Sequence, residues 1–358
     1  MTTFEAPPTT PAPSMPPDPH APMTHAIQVR EVMTELQRVI VGQERVLERV
    51  LVGLLAGGHC LLEGVPGLGK TLTVSTLARA LGGTFTRIQF TPDLLPSDIV
   101  GTRVYRQSTE TFDVELGPVF ANFVLTDEIN RAPAKVQSAL LEVMAERQIS
   151  LGGVTHPLPD PFLVLATQNP IESEGVYPLP EAQRDRFLMR IPVDYPTAQD
   201  EHEIVARAGG PTVTPQAILS LDDVRTLQRA AASVYVDPSV QDYAVRLVLT
   251  TRTPDEYDVA IDGLLSYGAS PRASIGLVRA GQALALIRGR GHLLPQDVYD
   301  VAYDVLNHRL VLSFDAVADG VTVDDILVEV LTSVPAPRFG SSESTTNSTG
   351  PVAGARVG

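Results

Sequence analysis

Cysteine, basic residues and long apolar runs are all scarce in this chain, and each shortage removes a class of protein. A single cysteine, Cys60, stands among 358 residues, so no internal disulfide can form; it sits in an apolar stretch, as a small core residue does. No run of about eighteen apolar residues occurs, so a membrane-spanning helix is not expected. The chain does not open on a basic region followed by an apolar one. A secretory signal is therefore not expected, and the expected compartment is the cytoplasm. Lys and Arg number 27 against 42 Asp and Glu, for a formal charge of −15. A broad nucleic-acid surface needs clustered cations, so this balance argues against one while leaving room for a narrow basic pore in an assembly. It also favours solubility and tolerates basic partners.

With 44% hydrophobic residues over this length, there is material for two domains and a sizeable core. Residues 1–25, dominated by Pro, Thr and Ala, cannot bury a core and are expected to stay disordered. Ile27, Val29, Val32, Met33, Leu36, Val39 and Ile40 then recur at helical spacing and open the folded part. Over 26–197, strands (59–63, 84–90, 121–126, 162–167, 187–193), apolar but for 84–90, which alternates, are interleaved with helical segments. That interleaving implies an α/β core whose parallel sheet is sandwiched by helices. Two hairpins are expected as well: 101–106 with 111–116, in an insert of about 94–116, and 148–158 around Gly152-Gly153. Asn130 is expected to cap a helix that has Pro133 in its first turn and runs to about Arg147. Residues 198–335 show helical patterns at 222–232, 238–250, 272–287 and 296–307, an all-helical second domain. Residues 336–358 read as a disordered tail.

The stretch that the rest serves is Gly64-Val65-Pro66-Gly67-Leu68-Gly69-Lys70-Thr71. It fits G-x-x-x-x-G-K-S/T and lies between a short apolar strand and a helix that opens at Leu72. Glycines let the backbone curl so that its N–H groups face phosphate oxygens, and the helix start adds partial positive charge. Lys70 is placed for the β- and γ-phosphates, and Thr71 offers a hydroxyl to Mg²⁺. This implies a nucleoside triphosphate site. Asp127-Glu128 closes a later apolar strand: Asp127 can hold Mg²⁺, and Glu128 can orient and deprotonate a water. The alternative for this pair is two acids capping the following helix. Asn169, in Thr167-Gln168-Asn169-Pro170, follows the next strand and could position that water, or the Asn-Pro pair could simply be a turn.

Taken together, these residues resemble the AAA+ ATPases and, within them, the MoxR family. The resemblance also rests on Val41-Gly42-Gln43-Glu44, Thr126 to Ala132, Pro178 to Gln183, Asp185-Arg186-Phe187 and Gly268 to Arg272, and it covers roughly residues 27–335. It implies that Lys70-Thr71 is Walker A and Asp127-Glu128 Walker B, with Gly64 to Leu72 and Asp127 binding ATP and Thr71 and Asp127 binding Mg²⁺. Asn169 becomes sensor 1, and Arg272 sensor 2, reaching from the lid to the phosphates. Arg186 becomes an arginine finger inserted into a neighbour's site, although Arg184 stands where such proteins carry an apolar residue and so competes for the role. The resemblance implies a ring, a hexamer, with both hairpins facing its pore. It further implies a chaperone-like remodeller that works with a von Willebrand factor A domain protein on a client protein. The motor subunit of a metal chelatase and a DNA-directed AAA+ motor are the rival functions; the charge and the lack of a zinc finger, winged helix or basic tail count against DNA.

Overall fold

The computed structural model describes residues 21–169, 175–210 and 213–337. The expected disordered ends thus fall almost wholly outside the described residues, as does Pro170. The exceptions are 21–25, which is helical, and 336–337. Helix α1 (Ala21–Val39) starts ahead of Ile27 because Pro22, in its first turn, gives up no helical hydrogen bond and presets φ.

After α1 come α2 (Glu44–Leu55), β1 (Cys60–Glu63), α3 (Lys70–Ala80) and β2 (Phe85–Gln89). The insert holds α4 (Pro96–Val100) and an antiparallel pair, β3 (Gly101–Arg106) with β4 (Thr111–Leu116). Next are β5 (Phe123–Asp127), α5 (Ala134–Glu146) and the second hairpin, β6 (Gln148–Leu151) with β7 (Val154–Pro157). Strand β8 (Leu163–Gln168), the short α6 (Glu181–Arg184) and β9 (Met189–Pro192) follow. Asn130 does not cap α5. Glu128 turns sharply in the left-handed region (φ 56°), a single helical turn spans Ile129–Arg131, and Pro133 takes the cap position. Asn130 is carried inward, and its carbonyl accepts from the Tyr177 N–H at 2.6 Å.

Strands β1, β2, β5, β8 and β9 form one parallel sheet in the order β2-β5-β8-β1-β9. Successive side chains point to opposite faces. Cys60, Leu62, Phe123, Leu125, Leu163 and Leu165 join the core shared with α2 and α3, whereas Leu61, Val124 and Val164 join that of α5. Strands β1, β5 and β8 are dry on both faces over most of their length, which is why they are unbroken apolar runs, whereas edge strand β2 alternates and exposes Arg87 and Gln89.

The remainder holds α7 (Ala198–Ala208), α8 (Leu221–Ala232), α9 (Pro238–Thr250), β10 (Leu265–Tyr267), α10 (Pro271–Ile287), α11 (Pro295–Leu306), β11 (Val311–Leu312), α12 (Phe314–Ala318) and α13 (Val323–Ser333). Apolar spacing misses α7 and α13, yet each begins with a capping box, Thr197/Asp200 and Thr322/Asp325. The region is helical but not wholly so, since β10 and β11 pair as an antiparallel ribbon. Helix α10 is its axis, burying Ala273, Leu277, Ala280 and Leu284 and packing on α1 and α2 as well as on α8, α9 and α11. Charge ties the same joint: Asp304 of α11 is fully buried and accepts from Arg45 (2.6 Å) and Arg49 (2.8 Å) of α2.

Candidate nucleotide site

Helix α3 begins where β1 ends, after a loop that returns on itself. Gly67 (φ 88°) and Gly69 (φ 72°) sit in the left-handed region that glycine tolerates best, and a Cβ added at either would meet nothing within 4 Å. The space above the loop is therefore open. Lys70 Nζ folds back to donate to the carbonyls of Gly64 (2.6 Å) and Val65 (3.0 Å). Burial pulls the Lys70 ammonium below its ordinary pKa, and the facing carboxylates of Asp127 and Glu128 push it back. Gln43, in the left-handed turn before α2, braces the loop by donating to the Leu68 carbonyl (2.9 Å).

A cavity of about 190 Å³ opens over this loop. Of the residues expected there, Gly64, Pro66 to Thr71, Asp127, Glu128 and Asn169 form its walls. Val65 contributes a carbonyl to Lys70 from behind. Leu72 faces outward on α3, 47% exposed. Two lining residues, Thr167 and Arg87, escape sequence reading. The Thr167 hydroxyl donates to Asp127 Oδ1 (3.0 Å) and accepts from the Glu128 N–H (2.9 Å), fixing both acids. Arg87 Nε reaches Asp127 Oδ2 at 2.7 Å. Glu128 is held through Oε2 by Gln89 (3.1 Å) and Arg131 (2.8 Å). The oxygen donors of Thr71, Asp127 and Glu128 in one cavity suit a hard divalent cation.

Arg186 and Arg272 are elsewhere. They line a second cavity, of about 960 Å³, with Arg147, Arg225, Arg229, Arg279 and Arg309. This cavity also touches Gly57 to His59, Asp160 and Asp185 to Leu188, the segments leading into β1, β8 and β9. The phosphate loop, Glu128 and Asn169 follow the last residues of β1, β5 and β8. Because the strands are parallel, the two cavities lie at opposite ends of the sheet, and a six-residue strand such as β8 is about 20 Å long. Arg272, expected to reach the phosphates from the lid, is instead held at this far end. Ser270, capping α10, donates to Asp185 Oδ2 (2.8 Å), and Arg272 Nη1 stands 3.7 Å from the same oxygen. Buried Arg309 donates to Asp185 Oδ1 at 2.8 Å. Arg186 lines the cavity while its Nη1 donates to the Leu141 carbonyl (2.8 Å); Arg184 pairs with Glu181 at 3.6 Å and does not line it.

A sheet of this order with a phosphate loop, paired acids and a helical appendage defines an AAA-type ATPase. Residues 59–189 match the model of the ATPase family associated with various cellular activities (AAA), and 260–330 match the AAA lid domain. The chain is 56% identical to Chaperone MoxR1 of Mycobacterium tuberculosis, over 89% of this chain and 85% of that protein. It is 36% identical to Protein MoxR of Paracoccus denitrificans, over 79% and 88%. The crystal structure of a candidate ATPase from Cytophaga hutchinsonii superposes with a TM-score of 0.84 at 47% identity, covering 88% of this chain and 97% of that one. This chain belongs to the MoxR family of AAA+ ATPases.

Proposed function

We propose that the chain hydrolyses ATP in a head-to-tail ring, a hexamer, in which each phosphate cavity is completed by Arg186 and Arg272 of the next subunit. The observation that carries this reading is the placement of both arginines at the end of the sheet opposite the phosphate loop, where neither can serve its own chain's nucleotide. Arg186 is preferred to Arg184 because it alone of the two lines the arginine cavity. Lys70 leaves the Gly64 and Val65 carbonyls for the β- and γ-phosphates, while the loop N–H groups hold the remaining oxygens. Thr71 and Asp127 would hold Mg²⁺, which when bound neutralises charge on those phosphate oxygens. Asn169 orients a water in line with the γ-phosphorus, and Glu128 takes its proton as the new P–O bond forms and the bond to the β-phosphate oxygen breaks. Thr167 keeps Glu128 and Asp127 in register during that step.

The cycle would drive a chaperone-like remodelling of a client protein, with a von Willebrand factor A domain partner. The name of the M. tuberculosis relative, a chaperone, supports the remodelling role. The two exposed hairpins, β3–β4 with Tyr105 and Phe112 and β6–β7 with Val154, offer surfaces to grip a chain in the pore.

Arg186→Ala should bind ATP normally and hydrolyse it 10³-fold or more slowly, the range for fingers supplied in trans. Mixed with Lys70→Ala, itself unable to bind ATP, it should recover part of the phosphate release. No recovery, or full activity of Arg186→Ala alone, would refute a site shared between subunits.

A further inference from the structure

Arg87 is not needed by any step above, yet its guanidinium is inside the phosphate cavity. It stands on β2 and shares a strand face with Gln89, two residues on. Its Nε donates to Asp127 Oδ2 at 2.7 Å and its Nη2 donates to Gln89 Oε1 at 3.2 Å. Asp127 is 8% exposed, so its charge needs a partner. The two carboxylate oxygens are served unequally. Oδ1 takes the Thr167 hydroxyl, which is itself pinned to the backbone of Glu128, whereas Oδ2 has the guanidinium of a side chain that is 51% exposed. The first contact is built into the sheet; the second can be exchanged, because the guanidinium end is half-exposed and returns to water while an incoming cation takes its place on the buried carboxylate.

We propose that Arg87 is a resident counter-cation of the cavity, occupying the Asp127 oxygen that a divalent metal must take and being displaced when that metal enters with nucleotide. The inference rests on the reading that Asp127 holds the metal. When Arg87 swings away, Thr167 keeps the carboxylate aimed into the cavity, so the site is preassembled in both states. Competition between guanidinium and metal means that the arginine weakens metal binding, and a neutral side chain of similar length should strengthen it.

The test is a titration of Mn²⁺ into the full-length protein saturated with ADP, followed by electron paramagnetic resonance. Arg87→Met should lower the half-saturating Mn²⁺ concentration by roughly fivefold, the size expected for loss of a competing ion pair whose cation is half-exposed. Arg87→Lys keeps the charge and should stay close to the native value. On the same samples, ADP binding in excess EDTA reads the loop without the metal and should be unchanged in both variants. Unchanged or weaker Mn²⁺ binding in Arg87→Met overturns the proposal. Loss of ADP binding in EDTA overturns it too, because Arg87 would then be a phosphate ligand. If the native protein takes up no Mn²⁺ alongside ADP, the assignment of Asp127 to the metal falls and the proposal falls with it. Native uptake without a change in Arg87→Met removes the proposal alone.

Discussion

At the scale of single residues, buried histidines set a lower pH limit on the fold. His59 Nδ1 accepts the Val164 N–H at 3.0 Å and its Nε2 lies 3.2 Å from the Met144 carbonyl, so the ring is neutral with its proton on Nε2. Complete burial takes its pKa down to about 4. An unfolded histidine titrates near 6.5, so the unfolded chain binds more protons between these values. Stability is therefore full above pH 6.5 and is lost as pH falls toward 4, by on the order of 3 kcal/mol for this residue. His308, buried and also held well below the ordinary value, adds to the loss. Urea unfolding at pH 7 and pH 4.5 should show His59→Gln losing less stability between the two than the native protein. Equal losses would clear His59 of the effect.

At the scale of elements, the joint between the sheet and α10 depends on one carboxylate. Asp185 takes Arg309 on one oxygen and Ser270 on the other, and Arg309 also donates to the carbonyls of Phe187 (2.6 Å) and Leu188 (3.1 Å). Asp185→Asn removes what is, among the described residues, the carboxylate paired with the buried Arg309 guanidinium, a change that costs about 3–5 kcal/mol in other buried pairs. Hydrogen exchange in the first turn of α10 should speed up severalfold, with ATP affinity unchanged and phosphate release reduced, since Arg272 is no longer held. Unaltered exchange would show that packing alone fixes the helix. This joint was not legible in the sequence, because residues 185, 270 and 309 are brought together only by the fold. The phosphate loop and the strands were legible, since each is a continuous stretch whose pattern is local. Arg87 fell between these cases: its strand was readable, but its partner lies forty residues on, on the next strand of the sheet. Asn130 misled because Glu128 adopts a left-handed turn that residue type does not announce.

At the scale of the whole molecule, the proposed ring predicts that assembly follows nucleotide occupancy. The cavity carrying Arg186 and Arg272 is rich in cations on a chain of charge −15, and the triphosphate of a neighbour is the anion that would neutralise it. Glu128→Gln, which binds ATP but cannot take the water's proton, should accumulate as the assembled form with ATP. Lys70→Ala should stay at the mass of one chain, 38.4 kDa. Light scattering of both variants decides it: a Glu128→Gln protein that remains at single-chain mass with ATP would count against nucleotide-driven assembly.

In the proposed ring, the separation of the two cavities by the length of the sheet makes each subunit blind to its own fuel. What its arginines register is whether the neighbour on one side is loaded, and what its own loop holds is registered only by the neighbour on the other side. News of a binding event would thus travel in a single rotational sense, and a subunit that loses Arg186 would silence the one next to it while its own loop still binds ATP.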